Sequence, residues 1–377
     1  MIYNIMNILL YDNTQMSVKN GHFYCASGTG NFAQELVELG NCVTMYGQQV
    51  EDSSSTSSFD ILSGGINVAG MKRYRSKILS YLLLYLHSVK YIIKADFVYF
   101  FYPTSYRYLP FLCMLLGKKY GLYVRGDKDV DNSLSRFLYR HAYVVFTVAK
   151  LFTDMVNASS SKNNGFTIRP MISYTDKDIV TNRIYKKKEN YNILFLCRLQ
   201  KEKGLEDLLA AIRQLNNNNV RNFCLTVVGG GPYLETAKNK IVEFGIEDFV
   251  LLVGAVNDEE EKKEYFLNAD LYILPTYYNE GFPRTLYEAM IFGTPIITTF
   301  VSGSPSLMED GYNCIRIEEH SVESIIDALT FSMENYTYLG ELAKHATNTV
   351  LQVLDSDRPS HAQDVNNAIS SLKRGKK

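Results

Sequence analysis

The chain has 377 residues, 46 % of them hydrophobic and 21 % charged, with a net charge of −1. That length suits two domains better than one core, and the composition excludes disordered, collagen-like and disulfide-stapled classes. Charge is uneven: residues 1–186 hold 20 Lys/Arg against 13 Asp/Glu, and the remainder 19 against 27, so two domains with different surfaces are expected.

In chain order, the first half reads as strands at 7–12, 42–47, 97–103, 120–126 and 143–148, with helices at 31–39, 76–94 and 105–117. The second half reads as strands at 191–199, 224–231, 249–254, 271–276, 294–299 and 313–317. Helical periods fall at 204–216, 233–245, 258–267, 283–292 and 321–334. Strand–helix alternation predicts α/β architecture with parallel sheets covered on both faces. Two such series, joined by the charged stretch 182–192, predict domains at 1–186 and 187–358, with a C-terminal helix at 359–377 crossing back to the first. Ligands of such sheets bind at the carboxyl ends of strands, so motifs there carry the function.

The six cysteines (Cys25, Cys42, Cys113, Cys197, Cys224, Cys314) lie far apart with no C-x-x-C pair, which argues for a reducing compartment and against a zinc site. The N-terminus lacks a basic region and a small-residue cleavage site, so no signal peptide is expected. The longest apolar stretch, 78–93, is broken by His87, Ser88 and Lys90 and reads as too short to span a membrane.

Four strand-end motifs stand out. In "NEGFPRTLYEAM" Glu280 precedes a helix and Glu288 lies one and a half turns inside it. A separation on the order of 10 Å suits gripping two parts of one ligand, not a glycosidase pair about 5–5.5 Å apart. The alternative is a loop glutamate plus a solvated helical one. "LFLCRLQKEKG" puts Arg198 and Lys203 at a strand's end, either as a diphosphate clamp or as ordinary surface charges. "VVGGGP" supplies a glycine turn at Gly229–Gly231 without the G-K-[ST] of a P-loop. "SGTGNFA" places Gly28 and Gly30 ahead of a helix. It also spells G-x-G-x-x-A, which would make an NAD(P) oxidoreductase with Glu51 or Asp52 on the ribose; its strand ends in Gly47-Gln48 rather than an acid.

Taken together, these motifs resemble the group 1 glycosyltransferases, retaining enzymes of the GT-B fold, with two facing Rossmann-like domains and a deep cleft between them. The resemblance runs from "NILFLCRLQKEKG" through "ADLYILPTYYNEGFPRTLYEAM" to "MEDGYNC". It implies that Glu280 contacts the donor sugar, Glu288 the ribose, and Arg198 and Lys203 the diphosphate. Backbone groups at Phe282, Thr285 and Leu286, and the glycines Gly28, Gly30 and Gly230, would also meet the donor. A UDP- or GDP-sugar is the implied donor and a glycan or lipid-linked saccharide the acceptor, in cell-surface polysaccharide synthesis. No resident cofactor, metal or nucleic-acid partner is implied, and the location is cytoplasmic, on the membrane's inner face. A non-catalytic sugar-nucleotide-binding scaffold and a fold-sharing epimerase are the rival readings. Pro283 replaces a more usual glycine, Ser306 a frequent glutamate and Cys314 a frequent glycine. A first-domain histidine is replaced by "LYVRGDKD", which offers Arg125 and Asp127; Arg125 either meets an anionic acceptor or donor group or forms an ion pair with Asp127 or Asp129. The D-x-D triplets at 129–131 and 355–357 read as chance matches. The basic segment 71–94 reads either as a membrane-surface patch or as a packed helix with a solvated face.

Overall fold

The computed structural model describes residues 5–12, 15–51, 58–74, 76–126, 129–172, 174–279, 281–301, 303–355 and 357–374. Two compact units emerge: residues 1–173 with 357–377, and residues 174–356.

Unit 1 begins with β1 (Asn7–Tyr11), then a hairpin of β2 (Met16–Lys19) and β3 (His22–Cys25). The hairpin turns at Asn20 and Gly21, both at positive φ, the asparagine–glycine chemistry that tight hairpins favour. After it come α1 (Ser27–Glu38), β4 (Cys42–Val50), β5 (Phe59–Asp60), β6 (Asn67–Lys72), α2 (Lys77–Lys94) and β7 (Phe97–Tyr102). Next are α3 (Leu109–Leu115), β8 (Lys119–Val124), α4 (Ser133–His141), β9 (Val144–Thr147), α5 (Lys150–Ser159) and β10 (Gly165–Thr167). The sheet runs β10-β9-β8-β7-β1-β4-β2-β3-β5, with β6 also pairing β4. Every residue of β7, "FVYFFY", is buried, the mark of a central parallel strand covered on both faces. Val98, Phe100 and Tyr102 enter one core and Phe97, Tyr99 and Phe101 the other, as a period of two requires.

Unit 2 comprises β11 (Tyr191–Leu196), α6 (Leu205–Asn217), β12 (Phe223–Val228), α7 (Leu234–Phe244), β13 (Val250–Gly254) and α8 (Glu259–Asn268). It continues with β14 (Leu271–Leu274), α9 (Arg284–Ile291), β15 (Ile296–Thr299), β16 (Ile315–Ile317), α10 (Val322–Glu334) and α11 (Tyr336–Leu354). All pairs are parallel, in the order β13-β12-β11-β14-β15-β16. The chain reverses direction across the sheet between β11 and β14, and their carboxyl ends form a switch point where ligands bind.

The segment before β11 packs on unit 2. Tyr185 donates to Gly293 O at 2.6 Å, and the Arg183 guanidinium donates to the carbonyls of Phe266, Phe292 and Ala269. Residues 174–186, placed with the first half from sequence, therefore lie with the second. The last helix, α12 (His361–Arg374), belongs to unit 1. Ser360 donates to Glu35 at 2.6 Å, Asn41 to Asn366 at 3.0 Å, and Tyr143 to the Ala368 carbonyl.

Candidate donor-binding site

The switch point of unit 2 is assembled by laced loops. Beyond β11, Arg198 is exposed and a single 3₁₀ turn, Lys201–Lys203, leads to Gly204. Gly204 has φ 75°, and a Cβ there would fall 2.0 Å from the Pro275 carbonyl. Only glycine permits that approach. Beyond β14, Thr276 Oγ1 and the Tyr277 amide both donate to Glu202 O, at 3.1 and 2.9 Å, and Tyr277 Oη donates to Lys201 O. The turn bearing Lys203 is thereby strapped to the loop leading to Glu280. Glu280 itself lies outside the described residues.

Lys203 is buried, its Nζ 4.9 Å from the Tyr278 ring centroid. Such a contact holds the ammonium within a bounded region. Tyr278 was invisible to sequence reasoning, because a partner 75 positions away in the chain leaves no periodic signal.

The glycine turn after β12 is held from both sides. The Leu199 amide donates to Gly230 O at 2.9 Å, and a Cβ at Gly229 would strike the Cys197 carbonyl. Gly230 abuts Ala255 of the loop after β13. These contacts give Gly230 a packing role and set it beside the Arg198 loop.

On the far side of the switch point, Gly281 O closes on Gly303, where even a Cβ would collide. Phe282 is buried with its ring 4.4 Å from that of Tyr287. Thr285 Oγ1 accepts from Tyr272 at 2.6 Å, and Leu286 is buried in the core. The start of α9 is thus pinned to β14. Its Glu288 is only 6 % exposed, and Oε2 has no hydrogen-bond partner among the described residues. Burial pushes this carboxyl up to about 7; Arg284 opposes the rise, Glu259 adds to it and Lys262 opposes it. A solvated helical glutamate, one of the two readings from sequence, is therefore excluded. A buried acceptor without a partner is costly unless something supplies a donor.

In unit 1 the glycine motif differs from expectation. Gly28 and Gly30 lie inside the first turn of α1, which starts at Ser27 rather than at residue 31. Gly30 packs against Phe59: a Cβ there would sit 2.2 Å from the ring. The strand before it, β3, belongs to an antiparallel hairpin, so the strand–turn–helix geometry of a dinucleotide fingerprint is missing. Glu51, its proposed ribose acid, instead pairs with Lys72 on the surface, and Asp52 lies outside the described residues.

Arg125 forms its ion pair with buried Asp12, at 3.3 Å, and lies 5.0 Å from the Phe101 ring centroid. Asp129, one of its expected partners, pairs with Arg107 at 3.4 Å, and Asp131 pairs with Arg136 at 2.8 Å. Asp127 lies outside the described residues. Next to Arg125 is His361, buried among Phe32, Tyr99 and Tyr123. A thioether carries no proton, so His361 Nδ1 donates to Met171 Sδ and Nε2 accepts from Tyr99 at 2.6 Å. Burial, with Arg125 adding to it, holds this imidazole down to about 3; it is a neutral core group.

A mostly parallel sheet in unit 1 and an all-parallel one in unit 2, the latter with its strands in Rossmann order, give the GT-B fold. Residues 176–349 match the family model described as glycosyl transferases group 1. It is 28 % identical over 151 residues to the GDP-mannose-dependent alpha-(1-6)-phosphatidylinositol monomannoside mannosyltransferase of Mycobacterium tuberculosis, covering 38 % of this chain and 39 % of that one. Over 122 residues it is 36 % identical to the amylovoran biosynthesis glycosyltransferase AmsK of Erwinia amylovora, covering 31 % and 30 %. The first curated relatives it matches are covered over less than half of their own length. Among solved structures it is similar to Anabaena Alr3699/HepE in complex with UDP, with a TM-score of 0.69, 14 % identity and coverage of 98 % and 100 %.

Proposed function

We propose that this protein is a retaining glycosyltransferase that moves a monosaccharide from a UDP- or GDP-sugar to a glycan or lipid-linked saccharide, in cell-surface polysaccharide synthesis at the inner face of the cytoplasmic membrane. The carrying observation is the strap between the two switch-point loops, which sets Lys203 beside the loop leading to Glu280 and Phe282. Relatives named for GDP-mannose and for amylovoran, and a similar fold crystallised with UDP, support the donor and product classes.

In this reading Arg198 and Lys203 hold the diphosphate, and the Glu288 carboxylate takes the ribose hydroxyls, donors its Oε2 otherwise lacks. Glu280 holds the sugar, backbone groups near Phe282, Thr285 and Leu286 complete the clasp, and Gly230 borders it. The bond from the sugar's anomeric carbon to the diphosphate oxygen breaks, and the acceptor oxygen bonds to that carbon on the same face. The acceptor's proton passes to the departing diphosphate. Fixed cations stabilise the negative charge as it develops, with no protein nucleophile or metal required. The test is transfer from UDP- and GDP-sugars to a lipid-linked acceptor in the presence of EDTA, with the product anomer read by NMR. Transfer with retention supports the reading; inversion, or a requirement for a divalent cation, rejects it.

A further inference from the structure

The largest unexplained feature of unit 1 is its outer helical face. On α2, Leu84, Ser88 and Ile92 face the core, while Ile78, Leu82, Leu86 and Ile93 form a second, outward stripe. Their spacing of four, four and seven keeps them on one side of the helix. Ile78 is 84 % exposed and Leu86 63 %. On α3 the outward residues are Phe111 and Leu115, the latter 82 % exposed. The two helices are neighbours, because Tyr81 and Tyr85 donate to Ser105 and Lys118 donates to Ile93 O and Ala95 O. Phe137 of α4 extends the face, its ring stacked 5.5 Å from that of Phe111. An ordinary solvated face does not carry large aliphatic side chains in contiguous rows.

Charge identifies the occupant. Residues 61–126 contain ten Lys/Arg and a single acid, Asp96. Lys90, Lys94 and Lys119 are exposed around the far ends of α2 and α3, and Arg73 is exposed just before α2 begins, beside Lys72, whose charge is matched by Glu51. Two copies of this face brought together would oppose cation to cation, since a two-fold contact sets the same patch against itself. Among the described residues no helix is long and apolar enough to cross a membrane, so the face lies on a bilayer rather than spanning it.

We propose that the outer face of α2, α3 and α4 docks unit 1 on an anionic lipid bilayer, with Ile78, Leu82, Leu86, Phe111 and Leu115 entering the headgroup–acyl boundary and the flanking cations meeting lipid phosphates. This supplies the surface for the membrane contact in the proposed function, and it stands whether or not the donor site binds nucleotide.

The experiment is cosedimentation of the full chain with vesicles of phosphatidylcholine, alone or mixed equally with phosphatidylglycerol, at low and high salt. The wild type binds the anionic vesicles at low salt and releases in high salt. Leu86→Gln/Leu115→Gln weakens binding by roughly tenfold or more. Lys90→Gln/Lys94→Gln weakens binding to the anionic vesicles by about fivefold per charge, and leaves the neutral ones alone. All four positions are exposed, so thermal melting stays unaltered, and UDP or GDP binding, measured in parallel, reports the other unit separately. No wild-type binding at low salt, or undiminished binding by Leu86→Gln/Leu115→Gln, overturns this docking surface. So does a concentration-dependent dimer, abolished by that variant, in a chain that ignores vesicles.

Discussion

The ammonium of Lys203 lies 4.9 Å from the ring centroid of Tyr278, although the two residues reach this point on separate strands. The ring bounds one side of the cation, and the strap between Glu202 and residues 276–277 fixes the turn that carries it. Lys203→Ala is expected to lower turnover at least about a hundredfold, the scale of losing one preorganised group that stabilises developing charge. Tyr278→Ala, which only loosens the cation, is expected to cost less, while Tyr278→Phe keeps the ring and the activity. Steady-state kinetics on all three check the order; equal losses for the two Tyr278 variants would show that the hydroxyl, not the ring, matters.

Gly204 is the joint of the strap. Alanine there meets both a left-handed φ of 75° and the Pro275 carbonyl at 2.0 Å. Gly204→Ala is expected to destabilise unit 2 by roughly 1–3 kcal/mol through the strained backbone, with a further loss of activity as the turn moves. Urea unfolding measures the first effect, and an unchanged midpoint would contradict it.

Glu288 gives a pH dependence of definite sign. Its carboxyl is raised from 4.5 to about 7 on folding, so the folded state binds the proton more tightly than the unfolded one. The contribution to stability is full below about 4.5 and is lost as pH rises through about 7, with a total of roughly 3 kcal/mol. Glu288→Gln, isosteric and uncharged, is expected to flatten that fall and to melt higher than wild type above neutral pH. It should also weaken donor binding, since an amide accepts the ribose hydroxyls less well than a carboxylate. A wild type whose unit 2 stability does not decline between those limits would contradict the burial argument.

His361 has the opposite sign in unit 1. Its imidazole is held down to about 3, from an ordinary 6.5. Stability is therefore present above 6.5 and lost as pH falls toward 3. His361→Phe, which fits an aromatic surrounding, is expected to shallow the acid limb. Hydrogen exchange at β7 and α12 amides reads this separately from unit 2; an acid limb identical to wild type would show that another group governs it.

Much of unit 2 was legible because most strands are short apolar runs ended by glycine, proline or charge, and most helices keep a clear period. Unit 1 was harder. The hairpin from Met16 to Cys25 escaped notice although Asn20-Gly21 signals it, because its strands are only four residues long and half polar. Its omission displaced the start of α1, and with it the reading of Gly28 and Gly30. Residue types and spacing pointed to Arg198, Lys203 and Glu288, but not to environment. Glu288 looks like a surface residue in "RTLYEAMI" and is buried because α9 is covered nearly all round. The Arg125–Asp12 pair joins the ends of β1 and β8 across more than a hundred residues, and only the sheet order brings them together.

Calorimetric titration of UDP and GDP into the full chain, wild type and Lys203→Ala side by side, tests the donor clasp most directly. The predicted result is saturable one-to-one binding of at least one of the two nucleotides by wild type, weakened about tenfold or more in Lys203→Ala, whose thermal melting without ligand matches wild type. Binding of neither nucleotide by the wild type, or equal affinity in the folded Lys203→Ala protein, would contradict it.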